Sequence, residues 1–181
     1  MARIFLQRSS NQEGAQILEF ALAVPLLVVF VVGIFDFGQA YNVKVKLNSA
    51  AKDGARFGAI QPTNDLSASV PPSVAAIRDL VDADLQAANI NDCGLGSILH
   101  SSGLIWQATG TCAGNTTFTL TIDRGFVYST SSPSVQVVST HVDLNYPFQW
   151  HFNSVITLLV SSASYAGTTQ IDTDAIAANQ D

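Results

Sequence analysis

The chain changes its hydrophobic period along its length. Residues 17–35 read ILEFALAVPLLVVFVVGIF, apolar on every helical face except at Glu19. Nineteen residues of helix rise roughly 28 Å, about the thickness of a bilayer's hydrocarbon core. A helix packed on a soluble core needs only one apolar stripe, so an all-round apolar helix predicts a membrane span over about residues 17–36. The helical period then continues through Tyr41, Val45, Leu47, Ala51 and Ala55. One helix is therefore expected over residues 15–60, about 70 Å long if continuous. Pro25 inside it lacks the N–H that the carbonyl of Ala21 needs, which predicts a kink there. Ala50, Ala51, Gly54, Ala55, Gly58 and Ala59 form a small-residue face suited to close packing, with Ala51, Gly54, Ala55 and Gly58 at its centre. Its occupant is either the protein's own sheet or a neighbouring helix.

Gln61-Pro62-Thr63-Asn64 stops the helical pattern. Pro71-Pro72-Ser73 opens a shorter helix, expected from about Val74 to Ala88. Its apolar face is Val74, Ile77, Val81, Leu85 and Ala88, with Ser73, Asp79 and Asp82 in polar or capping positions. Alternation of period two follows. Phe118-Leu120-Ile122 predicts a strand ending at Asp123-Arg124-Gly125, and Leu104-Ile105-Trp106 a short one. Val135-Val137 and Val142-Leu144-Tyr146-Phe148 predict a longer strand whose phase slips near Val138, the signature of a bulge. Val155–Val160, with a helix as the alternative there, and Ser161–Thr169 are expected to complete the sheet, and the tail from Ile171 to be frayed. The fold class is α+β: a long N-terminal transmembrane helix, then a small domain with a short helix and an antiparallel β-sheet.

Charge is segregated along the same boundary. Six of the eight cations fall within the first 56 residues. Beyond them two arginines face ten aspartates, a net charge of −8. Such a surface keeps an exported domain soluble and argues against a nucleic-acid partner, since nothing there could replace phosphate counterions. Cys93 and Cys112 lie in a Gly/Ser/Thr-rich stretch. Export predicts that they pair as a disulfide, the alternative being two buried thiols.

Glu19 is costly within an apolar run unless it is paired or interfacial. Five residues before it stands Gly14, preceded by a polar leader with Arg3 and Arg8. Cleavage after Gly14 would make Ala15 the first residue and Glu19 the fifth, while keeping the apolar run as an anchor. This arrangement resembles the type IV prepilin signal. A Glu19 carboxylate could then pair with the α-amino group of a neighbouring subunit, offsetting part of the cost of holding both charges in lipid. Gly38-Gln39-Ala40 before Tyr41 loosely fits an ordinary signal-peptidase site, but the apolar run exceeds a typical h-region and Asp36 and Phe37 intervene. Lysines 44, 46 and 52 beyond the span balance the leader arginines, so the positive-inside rule leaves the orientation open.

Glu19-Phe20-Ala21, Val24-Pro25, Asp36-Phe37-Gly38 and Ala50-Ala51-Lys52-Asp53-Gly54-Ala55-Arg56 occur in order. Together they resemble the TadE-like minor pilins, or pseudopilins, of the tight-adherence (Tad/Flp) type IV pilus system, over about the first third of the chain. The resemblance implies a leader over residues 1–14, the long helix over residues 15–60 and an exported domain over residues 61–181. It implies a bacterial inner-membrane protein with its C-terminal domain outside the cytoplasm, able to enter a surface pilus that serves adhesion or secretion. Its implied partners are a prepilin peptidase acting at Gly14 and Ala15, membrane lipid, and other pilin subunits registered through Glu19. Two rival roles stay open: an envelope assembly protein that keeps its leader, and the main filament pilin.

Candidate chemistry is sparse. His100, His141 and His151 share no metal-ligand spacing with Cys, Asp or Glu on one element, and Asp79, Asp82 and Asp84 lack a calcium-loop pattern. There is no P-loop, dinucleotide fingerprint or Gly-x-Ser-x-Gly. A non-catalytic subunit without cofactor or metal is expected.

Overall fold

A computed structural model describes residues 12–129, 136–151 and 167–180. They divide into two units. The first holds the chain up to Gly38 together with Trp150–Gly167, and the second holds Gln39–Gln149 and the chain from Thr168. Helix α1, Gln12–Ala59, contributes to both. It begins three residues before the expected start, and its assignment runs unbroken through Pro25. Of the expected leader, the part up to Asn11 lies outside the described residues.

The second unit contains α2 (Pro72–Ala87) and five strands: β1 (Leu99–Ser102), β2 (Ile105–Cys112), β3 (Thr116–Ser129), β4 (Gln136–Gln149) and β5 (Thr168–Ala178). They form one antiparallel sheet in the order β1-β2-β3-β4-β5. α2 buries Val74, Ile77, Val81 and Leu85, the stripe its period predicts. The cap differs from expectation. Pro71 holds the N-cap position, and Asp65 accepts hydrogen bonds from the Ser73 amide (2.8 Å) and hydroxyl (2.9 Å). Asp65 thus satisfies a free N–H of the first turn from eight residues away. At the other end Asn89 adopts φ +55°. Ile90 N–H donates to Leu85 O and Asn89 N–H to Gln86 O, a Schellman closure with Ile90 and Leu85 both buried.

Two expectations for the sheet need correction. The strand through Phe118 continues past Asp123 to Ser129, because a bulge absorbs the phase change. Asp123 pairs with His141 and Phe126 with Ser139, so Arg124 and Gly125 together oppose Thr140. The slip read near Val138 is therefore a bulge on β3, with the adjacent Ser139 and Thr140 of β4 both buried. The tail from Ile171 is not frayed; it is β5, paired with β4 from Thr168 to Ala178. Its inward positions are Ile171, Thr173, Ala175 and Ala177, mostly small or polar, which hid the alternation. The strand at Leu104–Trp106 is the start of β2, with β1 before it. The strands read at Val155–Val160 and Ser161–Thr169 lie outside the described residues, except that Thr168 and Thr169 open β5.

Within this unit α1 and α2 cover one face of the sheet. Leu47, Ala50, Ala51 and Ala55 share a core with Val74, Ile77, Val81, Trp106, Phe118, Leu120, Ile122, Val142 and Leu144. The small-residue face makes the close approach possible. A Cβ on Gly54 would stand 2.6 Å from Val81 Cγ2, and one on Gly58 2.6 Å from Thr140 Cγ2 and 2.9 Å from Ile77 Cδ1. This face is thus used by the protein's own domain.

Arg124, only 1% exposed, joins the end of α1 to the sheet. Its guanidinium donates to the carbonyls of Gly58, Gln61 (2.9 Å) and Pro62 (3.4 Å) and to Thr140 Oγ1 (3.0 Å). The Thr140 hydroxyl donates to Asn179 Oδ1 (2.8 Å), and Gln180 N–H donates to Ala59 O (2.9 Å). A cation at the carbonyl end of a helix meets both its unpaired acceptors and the negative end of its dipole. Lys46 Nζ does the same for α2, donating to Ala88 O at 2.8 Å.

Candidate membrane and assembly site

Residues 14–38 carry the features that bear on anchoring and assembly. Every turn of this stretch presents large apolar side chains: Ile17, Phe20, Leu22, Leu26, Phe30, Ile34 and Phe35 are each more than 60% exposed. Its most apolar window has mean hydropathy 2.7, and none of it is buried within the protein. Water would charge about 25 cal/mol for each Å² of such surface, so the segment requires lipid or other helices around it. Gly14, Ala15 and Glu19 all lie on the exposed surface of α1, and no atom approaches within 4 Å of where a Gly14 Cβ would stand. Leu22, Pro25, Leu26 and Val29 line a shallow recess beside the proline.

At the end of the apolar run, Asp36 is only 3% exposed. Its carboxylate lies 3.3 Å from His151 Nδ1, and the Phe37 ring meets Trp150 edge-on at 5.2 Å between centroids. Sequence reasoning used Asp36-Phe37 as a family step and as residues intervening before Tyr41, and did not pair Asp36 with His151, whose side chain remains 72% exposed. The available signal was the acid itself, which at the end of an apolar run needs a partner.

In the second unit the disulfide joins Cys93 and Cys112, with Cα atoms 4.6 Å apart. It ties the segment after α2 to the end of β2. Cys93 has φ +56° and its carbonyl lies against Gly110, where a Cβ would stand 2.7 Å from it. Glycine at 110 therefore lets the cystine segment lie on β2.

The sheet's outer face is polar and acidic. Asp143, Asp172 and Asp174 stand on adjacent β4 and β5, Asp143 directly across from Asp174. His141 Nε2 lies 3.2 Å from Asp174 Oδ2, and Asn145 donates to Asp172. Partial burial raises the Asp143 carboxyl above its ordinary value, and Asp172 and Asp174 push it further up against the opposing pull of His141. Around α2, burial raises Asp82, with repulsion from Asp92 adding to it, and burial with repulsion from Asp53 raises Asp84. Asp79 pairs with Arg78 at 3.1 Å. His100 contacts Gly103 O at 2.9 Å and the Trp106 ring edge-on. Among the described residues no group of three or more His, Cys, Asp or Glu side chains is placed to hold a metal ion.

The structure thus places Gly14, Ala15, Glu19 and Pro25 together on one exposed apolar stretch. Ala51, Gly54, Ala55 and Gly58 lie instead inside the domain core, which Cys93, buried after α2, and Cys112, at the end of β2, also border. Arg124 was missed as a site residue; its signal was a lone arginine in a strand of otherwise acidic and neutral residues. No curated protein and no solved structure matches the chain. Residues 14–56 match the family model described as TadE-like protein, a segment running from Gly14 to Arg56 in the last turn of α1. Over that segment the chain is similar to TadE-like proteins.

Proposed function

We propose that this protein is a non-catalytic, pilin-like subunit of a tight-adherence-type pilus system, acting as a minor pilin or pseudopilin. The observation that carries the reading is a single helix that matches the TadE-like family and also exposes an apolar surface broken at Glu19. A prepilin peptidase cuts after Gly14, leaving Ala15 as the N-terminus. Residues 17–36 hold the subunit in the inner membrane until its helix enters a bundle of other pilin helices. Glu19 registers it there by pairing with a neighbour's α-amino group, a contact that offsets part of the desolvation of both charges. The domain from residue 61 faces out of the cytoplasm, where its disulfide is compatible with an oxidising compartment.

Intact mass and N-terminal sequencing of protein from native membranes and from sheared surface material test this. Ala15 as first residue and presence in sheared filaments are expected. A retained leader would make the protein a fixed envelope component, and a start at Tyr41 would overturn the subunit reading. A dominant share of the sheared material would make it the main pilin. Glu19→Ala should lose incorporation while keeping the domain folded; normal piliation in that variant would end the registration role.

A further inference from the structure

The second unit contains few cations, and they divide cleanly. Lys46 caps α2, Arg78 pairs with Asp79, and Arg124 is buried at the end of α1. Lys44, Lys52 and Arg56 remain, exposed on α1 with no hydrogen bond or ion pair to the described residues. They share the solvent side of the helix with Tyr41 and Val45, 72% and 51% exposed. Tyr41, Lys44, Val45, Asn48, Ser49 and Lys52 frame an open groove along it. The opposite side of the same helix, through Leu47, Ala51, Ala55 and Gly58, packs on the sheet.

The sheet's outer face carries the complementary pattern. Asp143, Asp172 and Asp174 lie there, with Ile176 as a 44% exposed apolar residue on the same side of β5. Since α1 covers the inner face, the basic helix side and the acidic sheet side point in opposite directions from one unit. They cannot meet within one chain. They can meet between two.

We propose that the exposed basic side of α1 (Lys44, Lys52, Arg56, with Tyr41 and Val45) docks on the acidic outer sheet face (Asp143, Asp172, Asp174, with Ile176) of a second copy of this chain. The two patches differ, so the contact is heterologous, and repeating it generates an open array or a ring rather than a closed pair. Burial raises the Asp143 carboxyl, and repulsion from Asp172 and Asp174 adds to that; arriving cations relieve the repulsive part. The inference deepens the subunit reading by naming a partner surface, but its chemistry is independent of processing at Gly14.

The test uses the full chain in detergent micelles, with self-association followed by sedimentation. Reversing the helix charges (K44E/K52E/R56E) or the sheet charges (D143K/D172K/D174K) should each weaken association by about tenfold or more, since like charges then face each other. Mixing the two variants should restore it, and raising salt should weaken the wild type. In a parallel arm needing no charge change, V45C and I176C chains are mixed under mild oxidation and should cross-link to each other. Unchanged association in both reversed variants, no recovery on mixing, or no V45C–I176C cross-link would overturn the proposal. So would a helix-reversed variant that loses only its binding to phosphatidylglycerol vesicles, which would assign the basic side to lipid headgroups. If Glu19→Ala blocks piliation while charge reversal changes nothing, the subunit reading survives and this contact does not. If charge-dependent association persists in a chain that keeps its leader, the contact survives and the processing reading does not.

Discussion

Replacing Arg124 with methionine should remove a large share of the domain's stability. Methionine keeps the length and most of the apolar volume of the arginine stem, so the change isolates the guanidinium. That group donates to the carbonyl of Gly58 in the last turn of α1, to those of Gln61 and Pro62 just beyond it, and to Thr140. Gln61 and Pro62 border solvent and regain water when it is lost, whereas Gly58 is buried and its carbonyl does not. A buried acceptor stripped of its donor costs about 1–3 kcal/mol, and hydrogen bonds to charged groups contribute about 1.5–3 kcal/mol each. The expected loss is therefore about 3–4 kcal/mol, large against a typical total of about 5–15 kcal/mol. Arg124→Lys retains the positive charge at the helix terminus but not the fork, and should lose about half as much. Urea titration of the full chain in micelles reads both, followed by the near-ultraviolet signal of Trp106, which is fully buried with its indole N–H donating to Ser69 O. A methionine variant within about 1 kcal/mol of wild type, or lysine no better than methionine, would refute the assignment of stability to the guanidinium.

Two further perturbations have signs fixed by the structure. Reducing the Cys93–Cys112 bond frees a closure across 19 residues and should destabilise by about 3 kcal/mol, measured as a shift in urea midpoint with and without reductant; an unshifted midpoint would mean the loop is held by its other contacts. The carboxyls of Asp82, Asp84 and Asp143 are raised from 3.8 by the fold, so the folded protein binds their protons more tightly than the unfolded chain. Their contribution is fully present below pH 3.8 and is lost as pH rises through their folded values. Asp143→Asn should therefore raise stability at neutral pH and flatten the pH dependence just above 3.8; a destabilised variant at pH 7 would show that attraction to His141 outweighs the cost of burial and repulsion.

The parts of the fold that were legible share one property: their burial follows a single period carried by large side chains. α2 is such a case, with Val74, Ile77, Val81 and Leu85 all fully buried. So is the middle of β3, where Phe118, Leu120 and Ile122 point inward. β5 was illegible because Thr173, Ala175 and Ala177 face inward while Ile176 faces out, reversing the usual contrast between the two sides of a strand. The bulge left its trace on β4, where Ser139 and Thr140 are both buried, although the extra residue belongs to β3. Hydropathy could not assign it to one strand, because a phase slip in one strand and an insertion in its partner look alike in sequence. Arg124 was illegible for a different reason. Its role depends on the end of α1, more than sixty residues away, being brought beside the bulge.

The small-residue face of α1 shows how such a fold constrains assembly. Ala51, Gly54, Ala55 and Gly58 in sequence serve a neighbouring helix as well as they serve a sheet, because only the absence of side chains is encoded. The structure fills the positions over Gly54 and Gly58 with Val81, Ile77 and Thr140, leaving no room for even a methyl group. From Leu47 to Ala59 this side of the helix is committed to its own domain. A second subunit that packs on this part of α1 must approach from the other side, where the chain has kept three exposed cations beside a tyrosine and a valine. The same helix therefore offers two kinds of surface along its length: apolar all round before Asp36, where lipid or helix bundles fit, and basic on one side after Tyr41, where an acidic face fits.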